Sequence, residues 1–278
     1  MDDGAGRSWD PTLYAGSAAY YATGRVGYPA ELAGALAGAL GWDGTGRLLD
    51  VGCGPGSLTL LLAPWFAETV GLDADADMLR EAERAAAAAG VRAVRWRQLR
   101  AEELPADLPP VDVVTFAQSF HWLDRPRVAA TVRDMLTPGG VVVHVGATTH
   151  EGIDPDGPLP WPRPPRAEIA QLVRRRLGPA RRAGQGVVTG TPGDEDAVYR
   201  AAGFTGPQRL EVPGRVVERS LDEVAASVHS LSSSAPHLFG DRFAEHDAEL
   251  RALLARASPS GRFSEQMRSI SLRVWRPV

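Results

Sequence analysis

The stretch Arg47-Leu48-Leu49-Asp50-Val51-Gly52-Cys53-Gly54-Pro55-Gly56 constrains this chain more than any other: an apolar run closes on an acid and then on alternating glycines. A run apolar on both faces reads as a buried parallel strand, here entering a tight turn. Glycine suits that turn because it tolerates positive φ and carries no Cβ to hold a ligand off the backbone. Residues 57–62 follow and can be helical, so the turn also presents the free N–H groups of a helix start. The dinucleotide fingerprint G-x-G-x-x-G is excluded, because Ser57 stands where its third glycine would be. What remains is D-x-G-x-G-x-G, across Asp50, Gly52, Gly54 and Gly56.

A second strand is expected over residues 68–73, ending in the carboxylate of Asp73 one helix after the glycine turn. In a doubly wound sheet a ribose diol lies there, and Asp73 can accept from both hydroxyls. The alternative is that Asp73 is a solvated acid capping the helix that starts near Asp75. The whole pattern resembles the first motif of the class I S-adenosylmethionine-dependent methyltransferases, in particular small-molecule members of the trans-aconitate and ubiquinone-biosynthesis type. That resemblance implies an α/β fold: a Rossmann-like seven-stranded sheet, mostly parallel with an antiparallel last strand, plus a helical cap built from insertions. It also implies S-adenosyl-L-methionine as cofactor, with Gly52, Cys53 and Gly54 beneath its methionyl part, Asp73 and Ala74 at the ribose, and Met78 over the adenine.

Further motifs follow the same order. The aromatic segment 14–29 is too rich in tyrosine for a flexible tail, and Tyr21 and Arg25 match a Tyr-x-x-x-Arg that, in the subgroup, closes over the cofactor's carboxylate end. Arginine is the natural bidentate partner of a carboxylate. Val26 departs from the proline usual there. Ala101 and Glu102 open an A-E-x-L-P turn that the resemblance puts beside the adenine, although Arg100 replaces the aspartate many members carry. The fourth strand, 111–117, ends at Ala117 and Gln118, where the transferable methyl is expected, since ligands of open α/β sheets collect beyond the carboxyl ends of strands. His121 and Trp122 follow: the histidine as a base for an oxygen nucleophile, the indole as a platform for a flat or cationic group. The competing reading is that the His-Trp pair only packs and orients its loop.

Helices are expected over 30–40, 75–89, 126–136, 166–177, 194–202, 221–230 and 242–257. Further strands are expected over 91–99 (at an edge, because its arginines want one wet face), 141–145, 205–212 and 266–276, the last antiparallel beside strand five. The layout is then an N-terminal lid and first helix (1–41), a cofactor-binding core (42–149), a cap insertion (150–192) and a C-terminal completion (193–278) that carries a helical cap insertion (213–262). The cap contributes Trp161 and His237 as candidate acceptor contacts. Seven arginines against one acid between Arg163 and Arg182 read as a solvated face more readily than as an anion site.

Composition removes several classes. All 30 basic residues are arginine, so mechanisms that need a lysine are out. A net charge of −4 supplies no basic field for nucleic acid. No apolar run approaches the roughly 18 residues of a membrane span, and the first residues do not read as a signal peptide. The expectation is a cytoplasmic protein with a small-molecule methyl acceptor, no nucleic acid and no membrane. Cys53 is the single cysteine and the six histidines show no ligand spacing, so no metal is expected. The implied reaction is O-methylation of a specialised metabolite or a carboxylate. N- or C-methylation, or a cyclase-like or regulatory protein that binds the cofactor without transfer, stay open.

Overall fold

The computed structural model describes residues 10–155, 157–180 and 193–278, with the backbone of 182–183 and 186–187. Residues 1–9 of the expected lid segment, Arg181 of the arginine run and the end of the first cap insertion, 188–192, lie outside the described residues.

The apolar runs form β1 (Arg47–Val51), β2 (Glu68–Asp73), β3 (Val94–Gln98), β4 (Val111–Ala117) and β5 (Leu136–Gly146). Two further strands, β8 (Phe204–Val212) and β11 (Ile270–Pro277), complete a seven-stranded sheet in the order β3-β2-β1-β4-β5-β11-β8. β11 is antiparallel to both its neighbours, and the other pairings are parallel. The mostly parallel sheet with its antiparallel final strand is the architecture expected from sequence, and β3 lies at the edge.

Alternation along the strands splits the core into two faces. Leu48, Val113, Val143 and Val274 pack on one face against α2 (Ala30–Leu40) and α3 (Ser57–Leu62). Leu49, Val114, Val142 and Trp275 pack on the other against α5 (Arg125–Met135) and α7 (Glu195–Ala201). The helix α4 (Ala76–Ala88) starts one residue later than expected because Asp75 is its cap, with Oδ1 accepting from Asp77 N at 2.8 Å. The register Val51↔Leu72 brings the ends of β1 and β2 level, which sets the glycine turn beside Asp73.

The cap has a core of its own. α6 (Arg166–Leu177), α8 (Leu221–His229) and α9 (Phe243–Ala257) bury Ile169, Leu172, Val228, Leu250 and Leu254 together with Phe263. The expectation of a helical insertion is incomplete here. β9 (Val216–Ser220) and β10 (Arg262–Gln266) pair antiparallel beneath the helices, and a short ribbon joins β6 (Arg182–Ala183) to β7 (Gly186–Val187). Because Gln266 belongs to that first ribbon, the final strand begins at Ile270 and not at 266. Beneath the cap, Glu265 is fully buried between Arg166 (2.7 Å) and Arg219 (3.1 Å). Arg219 also donates to the carbonyl oxygens of Gly24, His150 and Glu223, tying the lid helix α1 (Ala18–Gly24) to the cap.

Candidate active site

Beyond the carboxyl ends of β1, β2 and β4 lies a cavity of about 1130 Å³, open to solvent. Its floor is the glycine turn. Gly52 N and Cys53 N both donate to Leu72 O, at 2.7 and 3.0 Å, so the turn is stitched to β2. At Gly52, φ is +69° and a Cβ would lie 2.4 Å from that of Ser119, so no larger residue fits. At Gly54, φ is +54° and a Cβ would meet nothing within 4 Å; its face opens on the cavity while its N–H donates to Asp73 Oδ2 at 2.8 Å.

Asp73 therefore sits at the junction of turn and second strand. Its Oδ1 accepts from Asp75 N at 2.9 Å, and each oxygen keeps lone-pair capacity. Burial pushes its carboxyl up to about 6, against the pull of the two backbone N–H bonds. The capping alternative passes to Asp75. Asp50, fully buried beneath the turn, accepts from Thr59 Oγ1 (2.6 Å) and Thr115 Oγ1 (2.7 Å); burial raises its pKa and the hydroxyls oppose. It braces the turn from within.

The cavity is also lined by Ala74, buried Met78, Ala101 and Glu102. Glu102 is partly committed, since its Oε1 accepts from Asp124 N at 2.9 Å. Arg100 lines it as well, and its guanidinium turns back to Glu103. Ala117, Gln118 and Trp122 line it too, with Leu13, Tyr14, Tyr28 and Thr149. Gln118 has φ +59°, a conformation rare for a side chain this size and a common mark of a functional position. Tyr14 meets Trp122 edge-on at 6.3 Å. Tyr21 and Arg25 come down from α1: the guanidinium lies 4.5 Å from the Tyr21 ring centre. Arg25 also donates to Ser230 Oγ (2.8 Å), Ser230 O (3.0 Å) and Thr149 Oγ1 (3.3 Å), which leaves two of its five N–H donors.

Three expected residues fall elsewhere. His121 packs beside Trp122 (4.8 Å between rings) but is not part of the cavity wall. Trp161 lies under the guanidinium of Arg262 at 4.7 Å, in a shallow proline-lined surface. His237 is exposed, and its Nδ1 is 2.9 Å from Ala15 O, so it ties a cap turn to the lid. The arginine run divides as well: Arg166 is a half-buried partner of buried Glu265, whereas Arg176 meets Glu245 and Glu249 at the surface. Sequence reasoning passed over Thr149 and Ser119 as site residues. Their signal was position, just past the carboxyl ends of β5 and β4. Among the described residues no three His, Cys, Asp or Glu side chains converge as metal ligands, and no helix is long and apolar enough to cross a membrane.

Comparison with known proteins agrees with this geometry. Residues 48–140, from β1 to the turn inside β5, match the methyltransferase-domain family. An uncharacterized methyltransferase of Mycobacterium tuberculosis is 34% identical over 176 residues, which is 62% of this chain and 63% of the relative's length. Trans-aconitate 2-methyltransferase of an Azoarcus species is 29% identical over 219 residues, 76% of this chain and 77% of that protein. The YcgJ protein of Bacillus subtilis superposes with a TM-score of 0.52 at 18% identity, over 89% of this chain and 99% of that one, and so shares the fold. The D-x-G-x-G-x-G turn and the acid ending β2, which both face this cavity, fall inside the segment that matches the methyltransferase-domain family.

Proposed function

We propose that the chain transfers a methyl group to an oxygen of a small molecule, and that a carboxylate is the acceptor oxygen its site suits. The observation that carries this is the state of the bases around the cavity. Asp50, Asp73 and Glu102 line it, and each already accepts at least one hydrogen bond from the protein; among the described residues no histidine lines it. A hydroxyl arrives with a proton that a base must take, whereas a carboxylate arrives as the nucleophile. A relative named for methylating trans-aconitate is consistent with that reading.

The residues present fit the cofactor. The open face of Gly54 and the neighbouring backbone would run beneath its amino-acid part, Asp73 would accept from the ribose, Met78 would cover the base, and the remaining N–H groups of Arg25 would meet the carboxylate. When bound, S-adenosylmethionine supplies a methyl on a sulfonium whose carbon–sulfur bond breaks toward sulfur as the acceptor oxygen bonds carbon. The protein's own contribution is then alignment: Gln118, Trp122, Tyr14, Tyr21 and Tyr28 would together wall the acceptor space.

Two tests follow from the site. Asp73 must be ionised to accept from both hydroxyls, and burial places its titration near 6. Cofactor affinity, measured by calorimetry from pH 5 to pH 8 (about a unit and more either side), should therefore rise as pH rises through about 6. In Asp73→Asn the curve should be flat; an unchanged slope there would move the titration to another group. For His121, outside the wall, His121→Gln should keep turnover within about fivefold with the same pH profile. A fall of about 10²–10⁴ with loss of the acidic limb would make it the base after all.

A further inference from the structure

We propose that a second cavity beside the first holds an anionic group of the acceptor, a carboxylate or phosphate remote from the methylated oxygen, with Arg215 and Arg268 as its recognition residues. This rests on the transferase reading and specifies its substrate class. The second cavity, about 350 Å³, lies between the lid segment 26–29, residues 147–149 beyond β5, and the turns 213–215 and 267–268. It shares Val26, Tyr28 and Thr149 with the first as common walls, so one layer of residues separates the two. Where the wall closes, Val26 N donates to Thr149 O at 2.8 Å.

The charge of this second cavity is one-sided. Arg215 and Arg268 line it and no acidic residue does. Among the described residues neither arginine has an ion-pair partner; Arg215 donates only to the carbonyl of Gly27, at 3.3 Å. The two are carried by turns in direct contact: Met267 N donates to Arg215 O at 2.9 Å, and Gly214 sits so close that a Cβ would lie 2.0 Å from Met267 O. Two guanidinium groups without a carboxylate partner among the described residues, both exposed at the rim of a small cavity, are available to carboxylate or phosphate oxygens. Elsewhere in the cap, Arg163, Arg176 and Arg262 each meet a carboxylate, and Arg166 and Arg219 share Glu265.

The test uses the full chain and a bacterial metabolite extract split on an anion exchanger. The protein, loaded with S-adenosylhomocysteine, is incubated with the retained pool, ultrafiltered, and its bound small molecules released and quantified. A parallel assay follows label from methyl-labelled S-adenosylmethionine into each pool. The expected result is retention from, and transfer into, the anionic pool, both reduced about tenfold or more in Arg215→Gln/Arg268→Gln while binding of S-adenosylhomocysteine stays unchanged. Prior phosphatase treatment of the pool abolishes the signal if the group is a phosphate and spares it if it is a carboxylate. Transfer into the neutral pool alone, or an unaffected double variant, overturns the anionic subsite and leaves the transferase reading standing. Absence of transfer into any pool by cofactor-loaded protein overturns the transferase reading, and this inference with it.

Discussion

Glu265→Ala is expected to cost about 3–5 kcal/mol of stability, because it strands two guanidinium groups under the cap. The carboxylate is fully buried and accepts from Arg166, Arg219 and Gly152 N. Burial alone would raise its pKa, yet the hydrogen bonds and charge of Arg166, with Gly152 N and Arg219, hold it below its ordinary value of 4.5. A depressed carboxyl stabilises the fold fully above the unfolded pKa, and that contribution is lost as pH falls through the folded one. Wild-type stability should therefore decline below about pH 4.5 in part through Glu265, and Glu265→Gln should lose that share of the decline. Denaturant titration at pH 7 measures the main effect. A loss under about 1 kcal/mol would mean that the cluster is wetter and less consequential than its burial indicates.

Asp73→Ala is expected to weaken cofactor binding by about 1.5–3 kcal/mol, roughly ten- to 150-fold in Kd, the scale of hydrogen bonds to a charged acceptor. The fold should survive. The carboxylate is opposed by its own burial, so the apo protein gives up an ionised group that costs stability above about pH 6. What is lost structurally is the clasp from Gly54 N and Asp75 N. Calorimetry on a variant shown by circular dichroism to be folded decides the point: an unchanged Kd would reduce Asp73 to an organiser of its turn.

Much of the fold was legible because the strands of a parallel sheet are apolar on both faces and the helices carry their own stops. The Ala30–Leu40 helix ends on Gly41 in a left-handed conformation, and Arg166–Leu177 runs to Gly178, both at the residues expected. The ribbon of β9 and β10 was not legible. Its strands are about forty residues apart, and Val216-Val217-Glu218-Arg219-Ser220 looks like a charged surface until Arg219 is seen to pair with a buried glutamate on the other strand. The glycine turn and Asp73 could be located because their roles depend on local backbone and spacing. Trp161 and His237 could not be placed, because an aromatic in an irregular cap loop carries no periodicity to say which way it faces. The commitments of Glu102 to Asp124 N and of Arg25 to Ser230 are tertiary in the same sense: partners about 20 and 200 positions away leave no local trace.

The account turns on what the glycine turn and Asp73 bind, and a calorimetric titration of the purified chain tests that most directly. Titration with S-adenosylhomocysteine should saturate a single site, and titration with NAD should give no heat, because Ser57 replaces the third glycine of a dinucleotide turn. Saturable NAD binding with no response to S-adenosylhomocysteine would contradict the account.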